Sequence, residues 1–104
     1  MQEKMKGPVG FDPAREAAIL SERERRYLLA TPLQQPADAG IIAHRAGDKD
    51  GGHRFAGFAR RNPWLFQRLP NSYGTALDYR LSADGFAVWN AIKVASPERN
   101  DHAD

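Results

Sequence analysis

The sequence predicts one small α+β domain that is mostly helical and carries a short β hairpin. Its 104 residues match the usual size of one domain and are too few for two independent cores. Hydrophobic residues make up 41% and charged residues 27%, close to the averages of globular proteins. Most apolar residues recur at helical spacing, whereas one segment near residue 80 alternates with the period of a strand.

The predicted domain spans residues 11–96. Residues 1–10 mix lysines with glycine and proline and show no apolar period, so we expect a flexible arm. The polar residues 97–104 predict a disordered tail. No apolar run approaches the ~20 residues needed to cross a bilayer, and the chain has no cysteine. We therefore expect a cytoplasmic protein that does not insert into membranes.

Two capping patterns predict helix in residues 13–30. Asp12-Pro13 suits an N-cap followed by the first helical position. Ser21 and Glu24 have the spacing of a capping box, in which each side chain binds the other's backbone amide. The pattern leaves open whether one bent helix or two short helices form. Thr31-Pro32 ends the segment, because the residue before proline disfavours helical angles.

Two further helices are expected in the middle of the chain. Residues 37–46 are alanine-rich and predict a short, mostly buried helix that closes near Gly47. A glycine-rich loop follows at 48–52. Beyond it, apolar residues recur at helical spacing and arginines occupy a different arc. The apolar set is Phe55, Phe58 and Ala59, and the basic set is Arg54, Arg60 and Arg61.

A turn and a strand are predicted next. Asn62-Pro63 offers a new cap and first position for a turn that interrupts or kinks the helix. That turn is expected to hold Trp64, Leu65, Phe66 and Leu69. Turn-forming residues follow at 70–74. The alternation of Leu77, Tyr79 and Leu81 with polar residues predicts a half-buried strand.

Residues 82–95 allow two interpretations. In one, Asp84-Gly85 turns the chain into a returning strand that carries Phe86, Val88, Asn90 and Ile92. In the other, Ser82 caps a helix that buries apolar residues at three-residue steps. We favour the helix, because the alanines at 83, 87 and 91 are better helix formers than strand formers.

The junction between strand and helix carries a recognisable motif. Tyr79-x-Leu81-Ser82-x-x-Gly85 resembles the wing-to-helix junction of winged helix-turn-helix regulators, particularly MarR-like and PadR-like ones. The capping box at Ser21 is similar to the start of the first helix in such domains. The resemblance implies a winged-helix-like fold, with 41–47 as the supporting helix and 53–61 as the recognition helix. It also implies duplex DNA as the ligand and a role in transcription regulation.

The centre of the chain supplies the cations that such a function needs. Between residues 52 and 80, Asp78 alone opposes five arginines. The resemblance implies that three of them reach a DNA groove and that two lie on the wing against phosphates. The first three are Arg54, Arg60 and Arg61, and the other two are Arg68 and Arg80. So few contacts bind weakly, so we expect a homodimer.

The same region allows a second, different function. Trp64, Phe66 and Arg61 combine aromatic and cationic groups in the way that protein interfaces favour. A non-enzymatic adaptor or inhibitor would dock on a protein partner through these residues. The ordinary alternatives are that the aromatic residues pack in the core and that the arginines form a solvated surface.

Metal binding and catalysis are not expected. Four metal-ligating side chains lie close together at His44, Asp48, Asp50 and His53, but their spacing matches neither a zinc site nor a complete calcium loop. The sequence has no nucleophile elbow, phosphate-binding glycine loop or zinc-protease helix. We therefore expect a protein without cofactor that is not an enzyme.

Overall fold

The computed structural model describes residues 11–71 and 77–95. The predicted arm at 1–10, most of the turn at 70–74 and the tail at 97–104 lie outside these residues. The elements run in this order: α1 (Pro13–Ile19), α2 (Glu22–Ala30), β1 (Ala37–Asp38), α3 (Ala39–Arg45), α4 (Gly52–Arg61), a 3-10 turn (Pro63–Leu65), β2 (Phe66–Pro70), β3 (Leu77–Leu81) and α5 (Ala83–Ala95).

The described strands form one antiparallel sheet in the order β1-β3-β2. β2 and β3 make a hairpin in which Phe66 pairs with Leu81 and Pro70 pairs with Leu77. β1 adds two residues to the other edge of β3 and leads directly into α3 and α4. Two helices inserted between an edge strand and a hairpin give the α+β fold that the sequence predicts, and this arrangement is compatible with a winged-helix-like domain.

The amino-terminal segment forms two short helices. Ser21 is extended, and both halves of the capping box form: the Glu24 amide donates to Ser21 Oγ at 3.1 Å, and the Ser21 amide donates to Glu24 Oε1 at 2.9 Å. In a single bent helix, Ser21 would be helical and these two capping hydrogen bonds would not form. α2 ends at Ala30, as expected from the proline two residues later.

The third helix begins two residues later than predicted. Ala37 and Asp38 belong to β1, and Asp38 caps α3 by accepting a hydrogen bond from the Ile41 amide at 2.9 Å. Ile42 is fully buried, whereas the side chain of Ile41 is 45% exposed. Gly47 has a positive φ of 87°, which explains why the helix closes where glycine occurs.

The predicted turn at 62–69 is correct only in its first half. A 3-10 turn covers Pro63–Leu65, but Phe66 is already extended and begins β2. Sequence patterning missed this strand because Gln67 and Arg68 are both exposed, so no apolar alternation marks it. Its strand geometry comes from pairing with β3, which is remote in sequence.

The favoured helix after Ser82 is confirmed, and the motif has the expected local roles. Ser82 Oγ accepts a hydrogen bond from the Gly85 amide at 3.0 Å and donates one to the Trp64 carbonyl at 2.7 Å. Tyr79 and Leu81 are buried. A Cβ atom at Gly85 would lie 2.0 Å from the Leu65 carbonyl oxygen, so only glycine fits there.

Aromatic rings hold α4 against the sheet. The Phe55 ring lies edge-on to Tyr79 at 5.0 Å and to Phe66 at 5.3 Å between centroids. Phe58 also packs on Phe66, and Tyr27 brings α2 into the same cluster. These contacts determine which side of α4 faces the core. No helix among the described residues is long and apolar enough to cross a membrane.

The close approach at Gly85 yields the first prediction. Gly85→Ala should lower the free energy of unfolding by about 3 kcal/mol or more, because backbone must move to admit the methyl group. Urea denaturation measures this loss. The control is Gly40→Ala, where the nearest atom to a new Cβ is the Asp38 carboxylate oxygen at 3.4 Å. Equal stability of the two variants would contradict the assigned role of Gly85.

Candidate functional site

α4 has a buried side and a cationic side. Phe55, Phe58 and Ala59 are buried, whereas Arg60 and Arg61 at its carboxyl end are exposed. The helix contains no acidic residue. Because its apolar residues recur at three- and four-residue steps, the arginines are left on the arc that faces away from the sheet.

An open groove of about 680 Å³ separates α4 from the first turns of α2. Its walls carry more positive than negative side chains. The charged residues that line it are Arg23, Arg26, Arg54, Arg60, Arg61, Glu22 and Glu24. The groove is therefore a concave, mostly cationic surface between α2 and α4.

Arg60 and Arg61 converge at one point of this groove. A Cβ atom placed at Gly57 would lie 3.3 Å from Arg61 Nη1 and 3.7 Å from Arg60 Nη2. Both guanidinium groups thus lie over the same glycine, and together they cover it from solvent. Two adjacent cations held at one place form a surface suited to an anion that accepts several hydrogen bonds.

The two carboxylates of the groove are already engaged. Glu22 pairs with Arg26 at 3.1 Å, and Glu24 accepts the Ser21 amide in the capping box. In the described part of the chain, no ion pair or hydrogen bond occupies the guanidinium of Arg23, Arg60 or Arg61. The groove therefore retains uncompensated positive charge although the whole chain carries only +2.

Asp48 ties α4 to α2. Arg54 donates two hydrogen bonds to its carboxylate, from Nε at 3.0 Å and from Nη2 at 2.8 Å, and the Tyr27 hydroxyl donates a third. The carboxylate lies against Gly51, where a Cβ atom would come within 2.0 Å of Oδ2. These bonds hold the loop between α3 and α4 and place the start of α4.

The hydrogen bonds among Asp48, Arg54 and Tyr27, which we call the Asp48 tie, shift the pKa values of the Asp48 carboxyl and the Tyr27 hydroxyl. The Arg54 guanidinium and, next, the Tyr27 hydroxyl hold the pKa of the Asp48 carboxyl well below its usual range. Burial raises the pKa of the Tyr27 hydroxyl, and the hydrogen bond to Asp48 adds to the rise. Asp48 is thus a stable anion and Tyr27 a neutral donor, which suits a structural role.

The five predicted arginines have different settings in the structure. Arg54 was expected to reach the ligand, but its guanidinium is bound to Asp48. On the hairpin, Arg68 pairs with Tyr79 and so lies on the sheet face that packs on α4. Arg80 pairs with Gln67 on the opposite face and donates to Gln67 Oε1 and the Gln34 carbonyl. The five arginines do not share one surface, and Arg60 and Arg61 form the centre of the site.

The residues of the alternative docking surface differ in exposure. Phe66 was expected to be an exposed anchor, but it is only 5% exposed because it packs on Phe55 and Phe58. Trp64 is half-buried, and its ring lies edge-on to Phe11 at 5.2 Å. Arg61 lies in the cationic groove.

Sequence reasoning missed Arg23, Gly57 and the Tyr27–Asp48 bond. The capping box already placed Arg23 in the first turn of α2, so its position was readable, but its proximity to α4 was not. Gly57 lies inside the predicted helix, where a glycine often indicates a packing or functional constraint. Among the described residues, no group of three or more potential metal ligands is found.

Comparison with known proteins adds no relative. No family model, no curated protein and no solved structure matches this chain. The interpretation of the site therefore depends on its own geometry and charge.

The tie at Asp48 predicts a pH effect. Its pKa is lower in the folded chain than in the unfolded chain, so the folded state binds fewer protons and the tie stabilises the fold above pH ~4. That stabilisation should be lost as pH falls below this value. In Asp48→Asn, the free energy of unfolding should start lower at pH 7 and decline less steeply in acid.

Asp50→Asn is the matched control, because it removes the same charge from an exposed residue of the same loop. Its acid denaturation should follow that of the wild type. If Asp48→Asn shows the wild-type decline as well, the tie does not contribute to stability.

Proposed function

We propose that this protein is a duplex DNA-binding protein, acting in transcription regulation, that contacts its ligand through the outer side of α4. The observation that carries the proposal is the pair of guanidinium groups of Arg60 and Arg61, which lie together over Gly57 and have no ion pair or hydrogen bond with another described residue. Arg23 adds positive charge across the groove. The resemblance of the 79–85 motif to winged-helix regulators is consistent with this use of the second inserted helix.

The chemistry follows from the guanidinium groups. Arginine donates in a planar, bidentate geometry that matches phosphate oxygens and the guanine edge. α4 follows α3 and lies beside the hairpin, so it corresponds to the recognition helix of a winged-helix domain. Arg68 on the hairpin face that packs on α4 is the second contact that we propose. Arg54 supports the surface indirectly by placing α4.

The proposal includes two copies per duplex and no catalysis. A single groove with a few free cations binds weakly at physiological salt, so pairing of two grooves is needed for specificity. We assign self-association to the neighbouring helices α1 and α5, on which Ile19 is 67% exposed and Val94 is 76% exposed. A chain without cysteine suits the reducing cytoplasm, where we place it.

The docking alternative lacks its main anchor. A protein-binding adaptor needs an aromatic residue that is free to enter a partner's pocket. Phe66 is part of the core, and Trp64 is partly covered by Phe11. Because Phe66 is buried, the three docking residues do not form one exposed cluster, and this favours the DNA-binding proposal.

The test is duplex binding as a function of salt. Wild-type protein should bind mixed-sequence duplex DNA at low salt, and its affinity should fall steeply as salt rises. Arg60→Ala/Arg61→Ala should weaken binding and reduce the salt slope by up to about 0.9 for each lost phosphate contact. Fluorescence anisotropy measures both effects, and sedimentation of the complex should give two chains per duplex.

Arg45→Ala/Lys49→Ala is the charge-matched control. It also removes two cations, but from exposed positions at the end of α3 and in the loop that follows it, and it should retain the affinity and salt slope of wild type. Thermal midpoints of both double variants should stay near the wild-type value, because none of the four residues is in the core. Wild-type protein that fails to bind duplex at low salt refutes the proposal, as does equal weakening by both variants.

A further inference from the structure

Glycine is required for different structural reasons at different helical positions of this fold. A Cβ atom at Gly52 would lie 3.2 Å from the backbone of Gly40, so α4 needs a small residue at position 52, where it approaches α3. Gly85 is required by the Leu65 carbonyl, as described above. At Gly57, by contrast, the atoms within 4 Å of a new Cβ are the guanidinium nitrogens of Arg60 and Arg61.

Gly57 is therefore unexplained by the packing of the described chain. Both neighbouring groups are the free ends of flexible side chains, and displacing them by a few tenths of an ångström costs little. The residue also lies in the interior of a ten-residue helix, where glycine destabilises by roughly 1 kcal/mol relative to alanine. Neither a positive φ nor a backbone contact within the chain offsets this cost.

We propose that Gly57 is the point where a phosphate group of the DNA strand lies against α4. This inference rests on the proposed function. A phosphate that accepts hydrogen bonds from both arginines lies ~2.7 to 2.9 Å from their nitrogens. Those nitrogens are 3.3 and 3.7 Å from the position of a Cβ at residue 57. A phosphate oxygen bound to them therefore lies within about 6 to 7 Å of that position, and it reaches residue 57 when the guanidinium groups turn outward to meet it.

A side chain at this position would compete with the ligand for space. Once the two guanidinium groups turn outward, glycine leaves the helix backbone at residue 57 open, so the sugar-phosphate strand approaches α4 more closely than any other residue would permit. The same glycine lets the two guanidinium groups settle over the helix in the free protein. Gly57 thus sets how deeply the DNA strand enters the groove.

The experiment is Gly57→Ala, with thermal stability and duplex affinity measured on the same sample. The thermal midpoint should rise by a few degrees, as alanine replaces glycine inside a helix. Affinity for mixed-sequence duplex at low salt should fall at least about fivefold, the lower end of the cost of inserting a methyl group into a filled contact. Gly40→Ala is the control and should leave affinity unchanged.

A second experiment, in Arg61→Ala protein, separates a direct clash of the methyl group with the phosphate from an indirect effect through the displaced arginine. In Arg61→Ala protein, Gly57→Ala should still weaken binding, because the methyl group meets the phosphate and not only the arginine. A loss seen only when Arg61 is present overturns the inference, and so does unchanged affinity or a lowered thermal midpoint of Gly57→Ala. In each of these cases the function proposed above stands, whereas absence of wild-type binding overturns both.

Discussion

The position of the candidate site depends on the hydrogen bonds that Tyr27 and Arg54 donate to the Asp48 carboxylate. It joins three elements at the start of α4, while the rings of Phe55 and Phe58 hold the buried side of that helix on the sheet. A helix held both at one end and along one side has little freedom to rotate. The direction in which its outer arginines point is therefore set by the core.

The groove is positively charged because the carboxylates near it bind other groups of the protein. The acidic residues nearest the groove are used inside the protein: Asp48 in the tie, Glu24 in the capping box and Glu22 beside Arg26. α4 itself has none. A chain of nearly neutral net charge thus presents a local cationic surface, because its carboxylates are bound where they serve the fold. Net charge alone is a poor guide to the ligands of such a domain.

Features determined by neighbouring residues were predictable from sequence. The capping box at Ser21, the helix end before Pro32 and the Ser82 cap each depend on groups within four residues, and all three form. Features determined by remote pairing were not. β2 exists because it pairs with β3, and Phe66 is buried because that strand faces α4. Half of the cationic groove was likewise hidden, since nothing in the sequence places Arg23 across from Arg60.

The most direct test of the central claim is an NMR titration of the free protein with a short mixed-sequence duplex at low salt, following backbone amides and arginine Nε groups. We expect the Gly57 amide and the Nε resonances of Arg60 and Arg61 to shift first and to saturate together, while those of Arg15 and Arg54 change little. Shifts confined to α1 and α5, or unchanged spectra at saturating duplex, would contradict it.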